Sequence, residues 1–104
     1  MKVLCICSAG NCRSVTTAGI LKGRGYDALA AGVDANTPET INQLCDWADI
    51  ILLATEVMIY QLPDKTEVHN KVKKEFIIGP DLWGVPFNPE LTEIVKKELE
   101  KINL

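Results

Sequence analysis

No apolar run in this chain is longer than five residues, the longest being Val3–Cys7 and Ile50–Ala54. A bilayer-spanning helix needs roughly 20 such residues, and the core of a secretory signal about 7–15. The expected location is therefore the cytoplasm, with no membrane partner. Basic charge does not dominate either: 11 Lys and Arg stand against 14 Asp and Glu, a net charge of −3. That balance argues against nucleic acid as the main partner. Aromatic residues make up only 6%, and histidine occurs once, as His69 in a polar stretch that reads as solvated surface. Cysteine is too sparse for a disulfide scaffold, which needs more than about 8%. No repeat, linker or low-complexity tract interrupts the sequence.

What is present is enough apolar material, 47% of 104 residues, for one domain over 1–104. A chain of this length buries roughly two thirds of its unfolded surface. The four cysteines are unevenly placed: Cys5, Cys7 and Cys12 crowd one end, and Cys45 stands alone. In a reducing compartment such a cluster points to catalysis, redox chemistry or metal rather than bridges.

The pattern alternates strands and helices. Lys2–Ile6 reads as a buried strand, followed by a turn-prone Ser8-Ala9-Gly10-Asn11 and a helix from Ser14 that Gly23 and Gly25 end. Its threonines and Gly19 weaken that helix. Ala28–Val33 is a second strand. Thr37 and Pro38 open a helix with Ile41, Leu44, Cys45 and Ala48 on one face. The run from Ile50 is the clearest strand, followed by a short helical stretch to Tyr60. Glu75–Ile78 reads as a fourth strand, and Asn88-Pro89-Glu90 opens the strongest helix. Four strands alternating with helices predict an α/β fold, a four-stranded parallel sheet in a three-layer α/β/α arrangement. Ligands bind such sheets at the carboxyl ends of the strands. Two segments qualify, the turn after the first strand and the Pro80-Asp81-Leu82-Trp83-Gly84 loop after the fourth.

The first of these, Cys7-Ser8-Ala9-Gly10-Asn11-Cys12-Arg13-Ser14, delivers a cysteine from a strand into a turn that enters a helix N-terminus. Unpaired N–H groups and the helix dipole favour an anion there. Amides from Ser8 to Arg13 can curl into a nest for phosphate oxygens. Arg13 adds a planar fork. The same field favours the Cys7 thiolate, to which Ser14 can donate a hydrogen bond.

This Cys-x5-Arg-Ser loop resembles that of the low-molecular-weight protein tyrosine phosphatases. Ala31-Gly32, Trp47-Ala48-Asp49 and Thr55-Glu56 are similar to family features in the same order, and Cys12 sits at the family's second loop cysteine. Asp81-Leu82-Trp83-Gly84 resembles the family's acid loop. The sequence departs where Val15 and Leu82 replace prolines, where the Gly-Asn pair lies one position late, and in a shorter chain overall. The resemblance implies a phosphotyrosine phosphatase I-like fold of flavodoxin-like winding, working without metal or cofactor. It implies Cys7 as nucleophile, Arg13 as phosphate ligand and Asp81 as general acid. Ser8, Ala9, Gly10, Asn11, Cys12 and Ser14 would surround the phosphate of a phosphorylated protein or small aryl phosphate. Trp83 would line the mouth or anchor its loop, and Cys12 would be a reversible redox partner of Cys7.

Rival readings exist. Cys7-Ser8-Ala9-Gly10 also resembles the enzyme IIB phosphocarriers of sugar phosphotransferase systems, whose loops lack an arginine six residues on. A thiol-coupled arsenate reductase would need redox cysteines downstream, and none follows Cys45. A silent phosphate-binding module would have no need of the full Cys-Arg-Asp set. Cys5 is expected in the core on the sheet face of Cys7, and Cys45 in packing. Lys71, Lys73 and Lys74 read as a solvated charge run that could also steer an acidic substrate.

Overall fold

A computed structural model describes all residues, 1–104. Three parallel strands form the sheet: β1 (Lys2–Cys7), β2 (Asp27–Gly32) and β3 (Ile50–Leu53), in the order β2-β1-β3. Four α-helices accompany them, α1 (Arg13–Gly23), α2 (Pro38–Trp47), the single-turn α3 (Thr66–His69) and α4 (Pro89–Glu100), with a 3-10 helix over Glu56–Gln61. Helices α1 and α4 cover one face with Ala18, Leu21, Leu91, Val95 and Leu99. Helix α2, the 3-10 helix and α3 cover the other with Ile41, Cys45, Met58 and Val68. The sheet lies between two cores, so the expected three layers are present. With β1 central and its neighbours on opposite sides, the chain changes winding direction at the carboxyl end of β1. A crevice for ligands forms at such a point.

Local chemistry accounts for the helix starts. Thr37 Oγ1 accepts from the Thr40 N–H at 3.2 Å, and Asn88 Oδ1 accepts from the Glu90 N–H at 2.9 Å. A proline follows each cap, where its missing N–H costs nothing. Leu91, Val95 and Leu99 repeat at four-residue spacing along α4 and are all buried. Lys71, expected to be solvated, instead donates from Nζ to the Cys45 carbonyl at 2.8 Å and so satisfies the end of α2. His69 is half-buried rather than solvated, with Nε2 lacking a hydrogen-bond partner.

The fourth strand does not form. Val72 bridges to Ile51, and the N–H groups of Ile78 and Gly79 both donate to the Ala54 carbonyl at 3.0 Å. Along β3 those contacts are three residues apart (54 − 51), but along the later segment six (78 − 72). The extra residues turn away at Lys73-Lys74-Glu75. Phe76 enters the α1–α4 core, and the Ile77 N–H goes to Glu98 Oε1 of α4 at 3.1 Å instead of to a ladder. The excursion leaves a cavity of about 100 Å³ lined by Leu53, Ile59, Val72 and Phe76. The sheet is three-stranded because the amides of Ile77, Ile78 and Gly79 are taken by Glu98 of α4 and by the single carbonyl of Ala54, just past β3.

No helix is long and apolar enough to cross a membrane, and all four cysteines are free and buried. Cys5 and Cys45 are core, as expected. Cys7 differs: it packs with Leu4 and Ile6 in the α2-side cluster, not with Cys5. Strand alternation ends where the chain begins to turn.

Candidate active site

β1 delivers Cys7 to the switch point, and the chain turns through residues 8–12 into α1. Gly10 makes the turn possible at φ +71°. Its N–H donates to Cys7 Sγ at 3.2 Å, while Ser14 Oγ sits 3.1 Å from the same sulfur. Burial alone would push the Cys7 thiol up. The Ser14 hydroxyl, with the N–H groups of Ser14, Gly10 and Cys12, outweighs burial and holds Cys7 below the ordinary thiol value. The thiolate is therefore favoured by the loop's own donors, with Arg13 outside that set. Alkylation of Cys7 by iodoacetate, followed by mass spectrometry across pH, should have its midpoint below that of a free thiol. Ser14→Ala should move the midpoint upward; an unmoved midpoint would remove Ser14 from the set.

Arg13 is 4% exposed. Its Nη1 donates to the Gly79 carbonyl at 2.7 Å and its Nη2 to Ser8 Oγ at 3.3 Å, while the buried Nε–H has no acceptor within the protein. Two fixed contacts set the plane of the guanidinium. Cys12 is the N-cap of α1 and makes no side-chain cap; of the first-turn amides, that of Ser14 faces Cys7 Sγ. Ser8 and Gly10 are half-buried, and Ala9 and Asn11 exposed at the rim.

The loop rests directly on β2. A Cβ on Gly32 would collide with the backbone of Ala9 and Gly10 and come within 2.6 Å of the Ser8 oxygen. The Asn36 side chain accepts from the Gly32 N–H at 2.9 Å, and the N–H groups of Val33 and Asp34 donate to the carbonyls of Cys7 and Ser8. Gly32 and Asn36 carry no chemistry of their own, and only the Ala31-Gly32 pair hints at them in the sequence.

Asp81 is exposed and forms an Asx turn: its Oδ1 accepts from the Trp83 N–H at 3.3 Å and the Gly84 N–H at 3.4 Å. Burial would raise its carboxyl. Those two N–H groups and the Arg13 charge prevail and hold it below the usual aspartate value, a carboxylate at neutral pH. Burial and the facing Asp81 charge push the Cys12 thiol up. Trp83 is half-buried against the α1–α4 core, which makes it an anchor of the loop, while Leu82 and Val85 remain exposed. The structure thus brings Cys7, Cys12, Arg13, Ser14 and Asp81 to one end of the sheet.

No protein-family model and no curated protein sequence matches this chain. Solved structures do match in fold. Wzb from Vibrio vulnificus, determined in complex with benzylphosphonate, superposes with a TM-score of 0.68 at 18% identity, covering 97% of this chain and 98% of that one. The YwlE arginine phosphatase from Geobacillus stearothermophilus gives 0.63 at 21% identity over 96% and 91%. A low-molecular-weight protein tyrosine phosphatase from T. tengcongensis gives 0.60 at 21% over 98% and 99%. The chain has the fold of these phosphatases along nearly its whole length.

Proposed function

We propose that this protein is a cytoplasmic cysteine-dependent phosphomonoester hydrolase of the low-molecular-weight protein tyrosine phosphatase type, acting as a single domain on a phosphorylated protein side chain or an aryl phosphate. The observation that carries the reading is the convergence of three features at one loop. Cys7 is surrounded by donors that favour its thiolate, the N-cap side chain of α1 leaves the helix entry without a cap of its own, and the buried Nε–H of Arg13 has no protein acceptor. A buried donor needs an acceptor, and a phosphoryl oxygen is suited to one held in a planar fork. The fold likeness to an arginine phosphatase and to a protein tyrosine phosphatase supports it.

In this mechanism the Cys7 thiolate attacks phosphorus in line as the bond to the leaving oxygen breaks, and Asp81 gives that oxygen its proton. The product is a phosphocysteine. Arg13 and the loop amides stabilise the charge on the three equatorial oxygens. Asp81, now a carboxylate, takes a proton from water, which attacks phosphorus and releases phosphate and the thiolate. Asp81 is ionised in the free protein, so the proton must arrive with the substrate. A bound phosphate beside the carboxylate raises its proton affinity.

The test is phosphate release from phenyl phosphate, whose leaving oxygen needs the proton. Repeated turnover is expected, with kcat/KM highest below neutral pH. The reactive form pairs the Cys7 thiolate, favoured below the usual thiol value, with a substrate that still carries the proton Asp81 must deliver. Acid-labile phosphate should be trapped on Cys7 during turnover. One equivalent of stable phosphocysteine without turnover would instead identify a phosphocarrier.

A further inference from the structure

The loop that carries Asp81 is shaped by its own Asx turn and anchored by Trp83, and it must present a carboxylate to a site built by other elements. Its far side is held by a stripe on α1. The Cys12 thiol donates to the Val85 carbonyl at 3.1 Å. Four residues on, Thr16 Oγ1 accepts the Phe87 N–H at 2.9 Å while donating to the Cys12 carbonyl at 2.8 Å. Three further on, Gly19 presents no side chain, and the Phe87 ring fills the space: a Cβ there would lie 2.5 Å from the ring. Positions 12, 16 and 19 follow the i, i+4, i+7 spacing of one helical face. Phe87 adopts φ +61°, a left-handed conformation costly for a bulky residue, and it is held by the Thr16 bond and the ring contact.

We infer that Cys12, Thr16 and Gly19 form a clasp that docks the acid loop, and that Cys12 is a positioning residue for Asp81 in addition to a neighbour of the nucleophile. Cys12 is 2% exposed and its thiol is kept protonated by burial and the adjacent carboxylate, so it remains a donor at neutral pH. The inference rests on the phosphatase reading for its catalytic consequence, and on the contacts above for its structural one.

The experiment has two arms. In the Trp47→Phe background Trp83 is the sole tryptophan. There Cys12→Ala and Thr16→Val should each raise acrylamide quenching of Trp83, and Cys12→Ser, which keeps a donor, should not. In the kinetic arm, kcat/KM is compared for phenyl phosphate, whose leaving phenolate needs a proton, and 4-nitrophenyl phosphate, whose leaving group does not. Cys12→Ala should lower the ratio of the first to the second by about 10-fold, a part of the 10²–10⁴ that acid catalysis can supply. Cys12→Ser should restore the phenyl phosphate rate. In an Asp81→Ala background, Cys12→Ala should cost nothing more. Equal losses on both substrates, additive losses with Asp81→Ala, or unchanged Trp83 quenching would overturn the clasp. Phosphate release from neither substrate, with the quenching pattern as expected, would overturn the phosphatase reading and leave the clasp standing.

Discussion

Cys7→Ser is expected to reduce phosphate release to background, and Arg13→Lys to lower kcat/KM on aryl phosphates by on the order of 10³-fold. The two losses have different causes. The Gly10 N–H and Ser14 hydroxyl around Cys7 Sγ stabilise an anion, and they can bring a thiol within reach of neutral pH. A serine hydroxyl starts several pK units higher, so the same donors leave it protonated and poorly nucleophilic. Lysine at position 13 keeps the charge but loses the fork. The guanidinium holds Gly79 O and Ser8 Oγ through its two terminal nitrogens while leaving Nε–H for substrate. One ammonium cannot serve all three. Steady-state release from 4-nitrophenyl phosphate measures both, with circular dichroism to confirm that each variant folds. Wild-type rates in Cys7→Ser would eliminate the nucleophile, and in Arg13→Lys the need for a guanidinium.

The candidate loop was legible in the sequence because its chemistry is contiguous. Cysteine, donors, helix entry and arginine fall within eight positions, and each residue type names its task. The caps of α2 and α4 were legible for the same reason: Thr37 and Asn88 act on amides two or three residues away. The fourth strand was not. Phe76, Ile77 and Ile78 have strand composition, but pairing depends on what faces them. Here Glu98, 21 residues on, takes the Ile77 amide, and Ala54 takes the amides of both Ile78 and Gly79. Composition carries no trace of that competition.

Helix α1 shows how a local rule can mislead. Thr16, Thr17 and Gly19 lower its intrinsic propensity, and read alone they are defects. In the structure Thr16 and Thr17 are fully buried, returning hydrogen bonds to the carbonyls of Cys12 and Arg13. Thr16 and Gly19 are the surface against which Phe87 seats, 71 and 68 residues (87 − 16 and 87 − 19) further along the chain. The helix gives up propensity where it meets the segment after Asp81. An isolated glycine in a helical pattern is a signal for such a contact, but it does not say which distant residue makes it.

Gly32→Ala is the second change with a large expected effect, although it alters no group that touches substrate. Its Cβ would strike the backbone of Ala9 and Gly10 and approach the Ser8 oxygen at 2.6 Å. Backbone cannot swing aside as a side chain can, so the loop must lift from β2. The reverse approach is equally close: a Cβ on Gly10 would lie 2.7 Å from the Gly32 nitrogen. Lifting the loop moves Gly10 N–H relative to Cys7 Sγ and displaces the amides that would receive phosphate. A misplacement of about 1 Å costs on the order of 10²-fold in rate. Forcing a methyl into a packed contact should also cost about 1–3 kcal/mol of stability. Gly23→Ala is the matched control. Gly23 closes α1 with open space where a Cβ would lie, nothing being within 4 Å, and without a positive φ. Alanine there should leave kcat/KM unchanged and add about 0.4–1 kcal/mol. Thermal denaturation and phosphate release on the pair separate the two effects. Unchanged kcat/KM in Gly32→Ala would mean that the loop's placement on β2 does not set its catalytic geometry.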